Sequence, residues 1–303
     1  MPLKSMDMMQ IMERFHKEEE CRDALAELRW PNGVACPRCG GIEHAYDSKT
    51  YRWDCYSCGY GFTALVGTIF HDTKLPLRKW FMAVLLMTEA KKGISANQVK
   101  RTLGVSYKTA WYLCHRIRAA MAETTPSPLA GTVEVDETYV GGKVRGKGHG
   151  YKGNKTIVAG AVQRGGDVVL QVVDNNGRQT LHDFIRNSTD PRVRRIMTDE
   201  WAAYRGIGDH DTTHETVNHS AEEWVRGDVH TNTVESVWSL FKRSITGSYH
   251  KLSAKHLDAY LDELEWRFNN RKNPYLFRDT LLKLIGSPNL PYAALTHQST
   301  PVG

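Results

Sequence analysis

Apolar residues recur at helical spacing from Lys4 to about Leu28, which predicts one amphipathic helix that Trp30-Pro31-Asn32-Gly33 breaks. A cysteine-bearing stretch follows from Val34 to about Val66, with strand-like pieces such as Tyr51-Arg52-Trp53. Pro76 opens a helix carrying Trp80, Phe81, Val84 and Leu85, and Gly93 closes it. Two more helices reach about Ala122, and Thr124-Thr125-Pro126-Ser127-Pro128 reads as a linker. Beyond it the texture changes. Thr132 to Val140, Thr156 to Gln163 and Asp167 to Val173 are Val- and Ile-rich runs separated by glycines, the pattern of a three-stranded meander. A helix at Gln179 to Asn187, a strand at Val193 to Thr198, and long helices over Thr233–Ser244 and Ala254–Asn270 complete the order. That order predicts an α/β class with one sheet flanked by helices. The expected organisation is a helical segment over 1–30, a ribbon over 31–66 and a helix-turn-helix over 74–122. A linker at 123–130, an α/β domain over 131–285 and a tail over 286–303 follow.

Composition adds limits. The chain has 303 residues, 41% hydrophobic and 24% charged, ordinary values for a protein with a buried core. A net charge of +6 permits a nucleic-acid partner without requiring one. The basic, glycine-rich segment with Lys143, Arg145 and Lys147 suits nonspecific phosphate contacts. No apolar run is long enough to span a membrane, and the N-terminal stretch lacks the marks of a secretory signal, so a cytoplasmic location is expected. Of six cysteines, Cys21 and Cys114 are expected to be buried thiols.

The other four form Cys36-Pro37-Arg38-Cys39 and Cys55-Tyr56-Ser57-Cys58. Each CxxC knuckle turns two sulfurs to one point, and an intervening hairpin brings the knuckles together. Four thiolates fill the tetrahedral shell of Zn²⁺ and leave no open position for water, so the expected zinc is structural.

Ile94 to Leu103 reads as a short helix capped by Ser95, Gly104 as a turn, and Ser106 as the cap of a second helix through Met121. Ala110, Leu113 or Cys114, Ile117 and Met121 make its apolar stripe. Tyr107, Lys108, Trp111, His115 and Arg118 are expected on the outer face, as on a helix that reads a DNA groove. An ordinary helical hairpin with a charged outer face has the same pattern.

Acids stand inside the strand Glu134-Val135-Asp136-Glu137-Thr138-Tyr139-Val140. Alternation puts Glu134, Asp136 and Thr138 on one face and Glu137 on the other. A carboxylate among valines is costly without a partner, and a metal ion is one such partner. Asp199 ends a second strand-like run, and Glu235 lies in a helix. Each acid taken alone also fits a surface salt bridge. Lys242 returns to the helix face of Glu235 after two turns, and Asn232 shares that face and could bond a metal-bound water or a phosphate. His219 and His230 flank this helix as candidate supporting groups.

The segments CPRCG with CYSCGYGF, ISANQVKRTLGVSYKTAWYLCHRIR, VEVDETYVGGK, MTDEWAAY, HTNTVESVWSLFKR and HLDAYLDELEWRFNNR together resemble the zinc-ribbon insertion-sequence transposases of the DDE superfamily, with their ISXO2-like transposase domain, relatives of the Merlin elements. The resemblance implies an RNase H-like fold over 131–285 with Asp136, Asp199 and Glu235 as a metal-binding triad. It implies Lys242 as the lysine that follows the glutamate, and Asn232 as an accessory or replacement ligand. The expected cofactors are two Mg²⁺ (or Mn²⁺), with Asp136 bridging both, because paired ions stabilise attacking and leaving oxygens at a phosphodiester. The expected partners are double-stranded DNA, both terminal inverted repeats and target DNA, and further copies of the chain in a dimer or larger synaptic assembly. A nuclease that cuts without joining, and a DNA-binding regulator without catalysis, are the alternatives.

Overall fold

The computed structural model describes residues 4, 6–141, 155–250 and 252–296. The chain divides into two compact units, one of residues 1–121 with 273–303 and one of residues 122–272.

In the first unit the predicted N-terminal helix is two helices, α1 (Met8–Arg14) and α2 (Glu18–Arg29). The apolar spacing runs on, but Glu20 accepts the Lys17 backbone N–H at 2.9 Å and so starts a new helix there. The ribbon is a small antiparallel sheet of β1 (His44–Asp47), β2 (Arg52–Cys55) and β3 (Gly61–Phe62). Arg29 ties α2 to it by donating to the carbonyls of Ala64 and Val66, at 2.7 and 2.8 Å. Helices α3 (Leu77–Glu89), α4 (Ala96–Leu103) and α5 (Tyr107–Met121) follow. Ser95 caps α4 by accepting from the Gln98 N–H at 3.1 Å, and Gly104 turns the chain at φ +59°. Ser106 accepts from the Thr109 N–H at the start of α5.

The second unit is built on one mixed sheet. Strands β4 (Thr132–Val140), β5 (Thr156–Gln163) and β6 (Val168–Val173) form the predicted antiparallel meander. After helix α6 (Arg178–Ser188), β7 (Arg195–Thr198) joins β4 in parallel, and β8 (Thr213–Thr216) joins β7 in parallel. The order is β6-β5-β4-β7-β8, with β4 central. Helices α7 (Asn232–Ser244) and α8 (Leu257–Asn269) complete the unit. Alternation along β4 and β5 gives two cores. Val133, Val135, Ala159 and Ala161 pack with Leu181, Phe184 and Ile185 of α6. Val158 and Val162 pack with Val234, Val237, Trp238 and Phe241 of α7 and with Leu257, Leu261 and Leu264 of α8.

The chain then returns to the first unit through α9 (Leu276–Gly286) and α10 (Tyr292–Thr296). Helix α9 packs on α2, α3 and α5, with Phe277 edge-on to Phe81 at 5.9 Å. The expected boundary at residue 285 therefore falls earlier, and residues 273–285 belong with the N-terminal helices. Among the described residues no helix is long and apolar enough to cross a membrane.

Candidate active site and metal centre

The Sγ atoms of Cys36, Cys39, Cys55 and Cys58 all lie within 4.8 Å of one another. Cys36 and Cys58 are 3.8 Å apart, and Cys39 and Cys55 are 3.6 Å apart. Four sulfurs at about 2.3 Å from a tetrahedral Zn²⁺ stand about 3.8 Å from each other, so this set fits the ion. Gly40 and Gly59, at φ +76° and +68°, follow the second cysteine of each knuckle, where the backbone turns left-handed. Cys21 and Cys114 are buried, as expected.

On α5 the apolar stripe is buried as predicted, and the outer face is only partly as predicted. Tyr107 and Lys108 are exposed. His115 and Arg118 are buried, at 1% and 2% exposure, and the Trp111 ring packs on His115 at 4.3 Å. The expectation that these two present themselves to a groove is therefore corrected: the buried surface of α5 extends round the helix at its C-terminal half and takes in His115, Arg116 and Arg118. Helix α10 also lies against this face, with Tyr292 under the Lys108 ammonium at 4.4 Å and edge-on to Trp111 at 6.2 Å. Lys143, Arg145 and Lys147 lie outside the described residues.

Asp136 sits at the middle of β4 on the α7 side, where the Trp238 indole N–H donates to its Oδ2 at 3.0 Å. Burial, and then the charges of Glu137 and Asp199, push its carboxyl up to about 7. Asp199 follows directly on β7, the parallel neighbour of β4, and accepts the Trp201 backbone N–H at 3.0 Å. Burial holds it above the ordinary carboxylate range. The Trp201 N–H opposes that, the acids Glu137 and Glu200 add to it, and His219 offsets part. Glu235 stands in the first turn of α7, accepting from the Thr231 hydroxyl at 2.8 Å and lying 3.6 Å from His219 Nε2.

Asp136 and Glu235 line one cavity of about 590 Å³, together with Glu137, Thr138, Trp238, Ser239, Lys242, Arg243 and Thr246. Asp199 is not in that lining, and Asn232 is exposed at the first position of α7. Among the described residues, the cysteine set is the only group of three or more His, Cys, Asp or Glu ligand atoms gathered within 4.8 Å. A carboxylate set serving two ions 3.5–4 Å apart, each about 2.1 Å from its oxygens, spans more than that. The oxygen donors and the raised proton affinity of Asp136 suit a hard divalent cation, whose charge would replace the proton.

Several supports for these acids are not readable from the chain. The Glu134 carboxylate is fully buried and accepts the backbone N–H groups of Thr233 and Val234 at 2.7 and 3.2 Å, the Thr233 hydroxyl at 2.8 Å and Arg164 Nε at 2.6 Å. It thereby caps α7, whose own N-cap residue, Thr231, supplies no side-chain cap. His230 Nδ1 lies 3.2 Å from the same carboxylate, and Arg164 also donates to the carbonyls of Asp228 and His230. Glu200 receives the N–H groups of His219 and Ser220, both at 3.0 Å, and so fixes the turn that brings His219 to Glu235. On the other sheet face Glu137 is held by the Tyr204 hydroxyl at 2.5 Å and by Asn176 at 3.2 Å.

Comparison with known proteins agrees with this architecture. Residues 128–269 match the ISXO2-like transposase domain, and residues 16–61 match a transposase zinc-ribbon domain. The chain is 30% identical over 272 residues to a protein in transposable element ISH50 of Halobacterium salinarum, covering 84% of this chain and 91% of that protein. It is 29% identical over 103 residues to a transposase-like protein of Haemophilus influenzae, covering 34% of this chain and 81% of that one. A ribbon with four converging thiols, a mixed five-stranded sheet carrying acids on its central strand, and these matches place the chain in the family of zinc-ribbon insertion-sequence transposases with an ISXO2-like domain.

Proposed function

We propose that this transposase cuts DNA at the ends of its element and joins the freed 3′ ends to target DNA, with Asp136, Asp199 and Glu235 as the metal-holding acids. The observation that carries the reading is the shared cavity of Asp136 and Glu235, with Asp199 close enough to raise the proton affinity of Asp136. Two Mg²⁺ or Mn²⁺ held there would stabilise charge on the attacking and leaving oxygens of an in-line displacement. Asp136, Asp199 and Glu235 would be the residues that hold these ions in this reading. Trp238 orients Asp136 through its indole N–H, and His219 and Thr231 orient Glu235. Lys242 supplies a cation to the phosphate beside the acids, and Asn232 stands one turn before Glu235 as an accessory group. Water attacks the phosphodiester at the element end and breaks its P–O3′ bond, leaving a 5′-phosphate on the flanking strand and a free 3′-hydroxyl on the element. That hydroxyl then attacks a target phosphodiester and displaces the target strand's 3′-oxygen, with no covalent enzyme intermediate.

Recognition of the terminal repeats falls to residues 74–122, with Tyr107 and Lys108 as the exposed groups at the start of α5. The ribbon zinc is structural. Two ends must be joined together, so the working form is a dimer or larger synaptic assembly. A strand-transfer assay with Asp136→Asn tests the assignment. Joining by the unaltered protein that is lost in the variant supports it. Cutting without joining by the unaltered protein indicates a nuclease, DNA binding alone a regulator, and full joining by Asp136→Asn would remove the triad assignment.

A further inference from the structure

The face of α7 that carries Glu235 changes character beyond that acid. Ser239 lies four residues on and Arg243 four further, so the three share one row of the helix, with Lys242 beside Arg243. All four side chains are exposed, and all line the cavity that holds Asp136. Among the described residues, the side chains of Ser239, Lys242 and Arg243 make no hydrogen bond or ion pair. The Thr246 hydroxyl, by contrast, is engaged with the Lys242 carbonyl at 3.1 Å. Cations in the last turn of a helix complement its dipole, and that alone accounts for a lysine and an arginine there. It does not account for their opening onto the acid-lined cavity with an unengaged hydroxyl between them and Glu235.

We propose that Ser239 and Arg243 form a phosphate subsite beside the cutting acids, extending the cationic position already expected at Lys242. The inference rests on the assignment of Asp136 and Glu235 to the cutting site. The ligand class is the DNA backbone: a hydroxyl, a guanidinium fork and an ammonium can all donate to phosphate oxygens, and two of the three carry positive charge, which suits a phosphodiester. Along the helix Ser239 is about 6 Å and Arg243 about 12 Å from Glu235, a span over which a strand presents more than one phosphate. The acids at one end of the cavity repel an uncompensated anion. The strand therefore rests a flanking phosphate on Ser239 and Arg243 while the scissile phosphate lies at the acids.

The test is equilibrium binding of the full chain, without divalent metal, to duplexes taken from the DNA end flanking the gene. Each duplex carries one neutral methylphosphonate at a successive position around the scissile phosphate. Arg243→Ala is expected to weaken binding to the all-phosphate duplex about tenfold and to lower the log–log salt slope by about one. On the duplex whose neutral linkage is adjacent to the scissile phosphate, the variant and the unaltered protein should bind alike, because each change removes the same contact. Ser239→Ala should behave likewise with a smaller loss. An Arg243→Ala loss equal at every neutral position, or an unaltered salt slope, overturns the subsite. The outcome is separable from the cutting assignment. If Asp136→Asn joins DNA normally the acids are misassigned whatever the binding cycle gives, whereas an inactive Asp136→Asn with a position-independent Arg243→Ala loss removes only the subsite.

Discussion

Gly160 lies opposite Asp136 in the β4–β5 register and directly beneath the Trp238 ring, where an added Cβ would stand 2.5 Å from the indole Cζ2 and 2.6 Å from Cη2. A missing side chain on one strand is thus what lets the indole lie on the sheet and its N–H reach Asp136. Gly160→Ala should destabilise the second unit by about 1–3 kcal/mol, the usual effect of overpacking a filled core. It should also lower the DNA cutting proposed for this site at temperatures where the fold is intact. Urea unfolding read beside the cleavage rate checks this. An unchanged midpoint with unchanged rate would show that the ring has room to move.

Glu134→Ala should be far more damaging than an exposed acid-to-alanine change. It uncaps α7 and leaves Arg164, only partly exposed, without its carboxylate. Removing one member of a buried pair costs about 3–5 kcal/mol. Denaturant unfolding of this variant against Asp211→Ala, on an exposed loop, gives the comparison. Equal stabilities would mean that water replaces the carboxylate at no loss.

These two relationships show where the chain was readable. The meander stood out because β4, β5 and β6 alternate Val and Ile over glycine-bounded runs, and the paired CxxC knuckles carry their own geometry. Strand β8 did not stand out. Thr213-His214-Glu215-Thr216 is polar throughout, and only its parallel pairing to β7 makes it a strand. The acids Asp136 and Asp199 were visible as carboxylates at strand positions. Glu134 was visible too, but its partners Arg164 and Thr233 are remote in sequence, so its capping role exists only in the folded chain. The same holds for His115 and Arg118, which one helical wheel places outside and the packing places inside. The break between α1 and α2 was written in Glu20, three residues after Lys17, and was masked by the continuing apolar period.

Glu265 should make stability depend on pH. Its carboxylate accepts the Leu170 backbone N–H at 2.9 Å, yet burial raises its carboxyl to about 7, with Asp262, Glu123 and Asp167 adding to the effect. The folded chain therefore keeps this proton to higher pH than the unfolded chain, where the group titrates near 4.5. Its contribution to stability is complete below about pH 4.5 and is lost as pH rises through 7. Glu265→Gln keeps a neutral acceptor for Leu170, so relative to the unaltered protein it should gain on the order of 1–3 kcal/mol between pH 5 and pH 8. Denaturation curves across that range provide the check, and parallel pH profiles would contradict the burial effect.

Zinc removal should act locally. Chelation, or Cys39→Ser, is expected to abolish stoichiometric zinc and to open residues 31–66 to protease, because apart from Cys36 and Cys55 the buried core of the ribbon is only Trp53, Phe62 and Ala64. The unfolding midpoint of residues 122–272 should be unchanged. Full zinc content in Cys39→Ser would argue against four-thiolate coordination.

The return of α9 to the N-terminal helices has a consequence for synthesis. On the ribosome, residues 122–272 emerge whole before Phe277, Leu281 and Leu284 exist to pack against α2, α3 and α5. The unit that begins first must therefore wait, with its apolar surfaces uncovered, until the inserted unit has been made. A message cut short just after Lys272 would release a finished sheet attached to an unfinished helical partner.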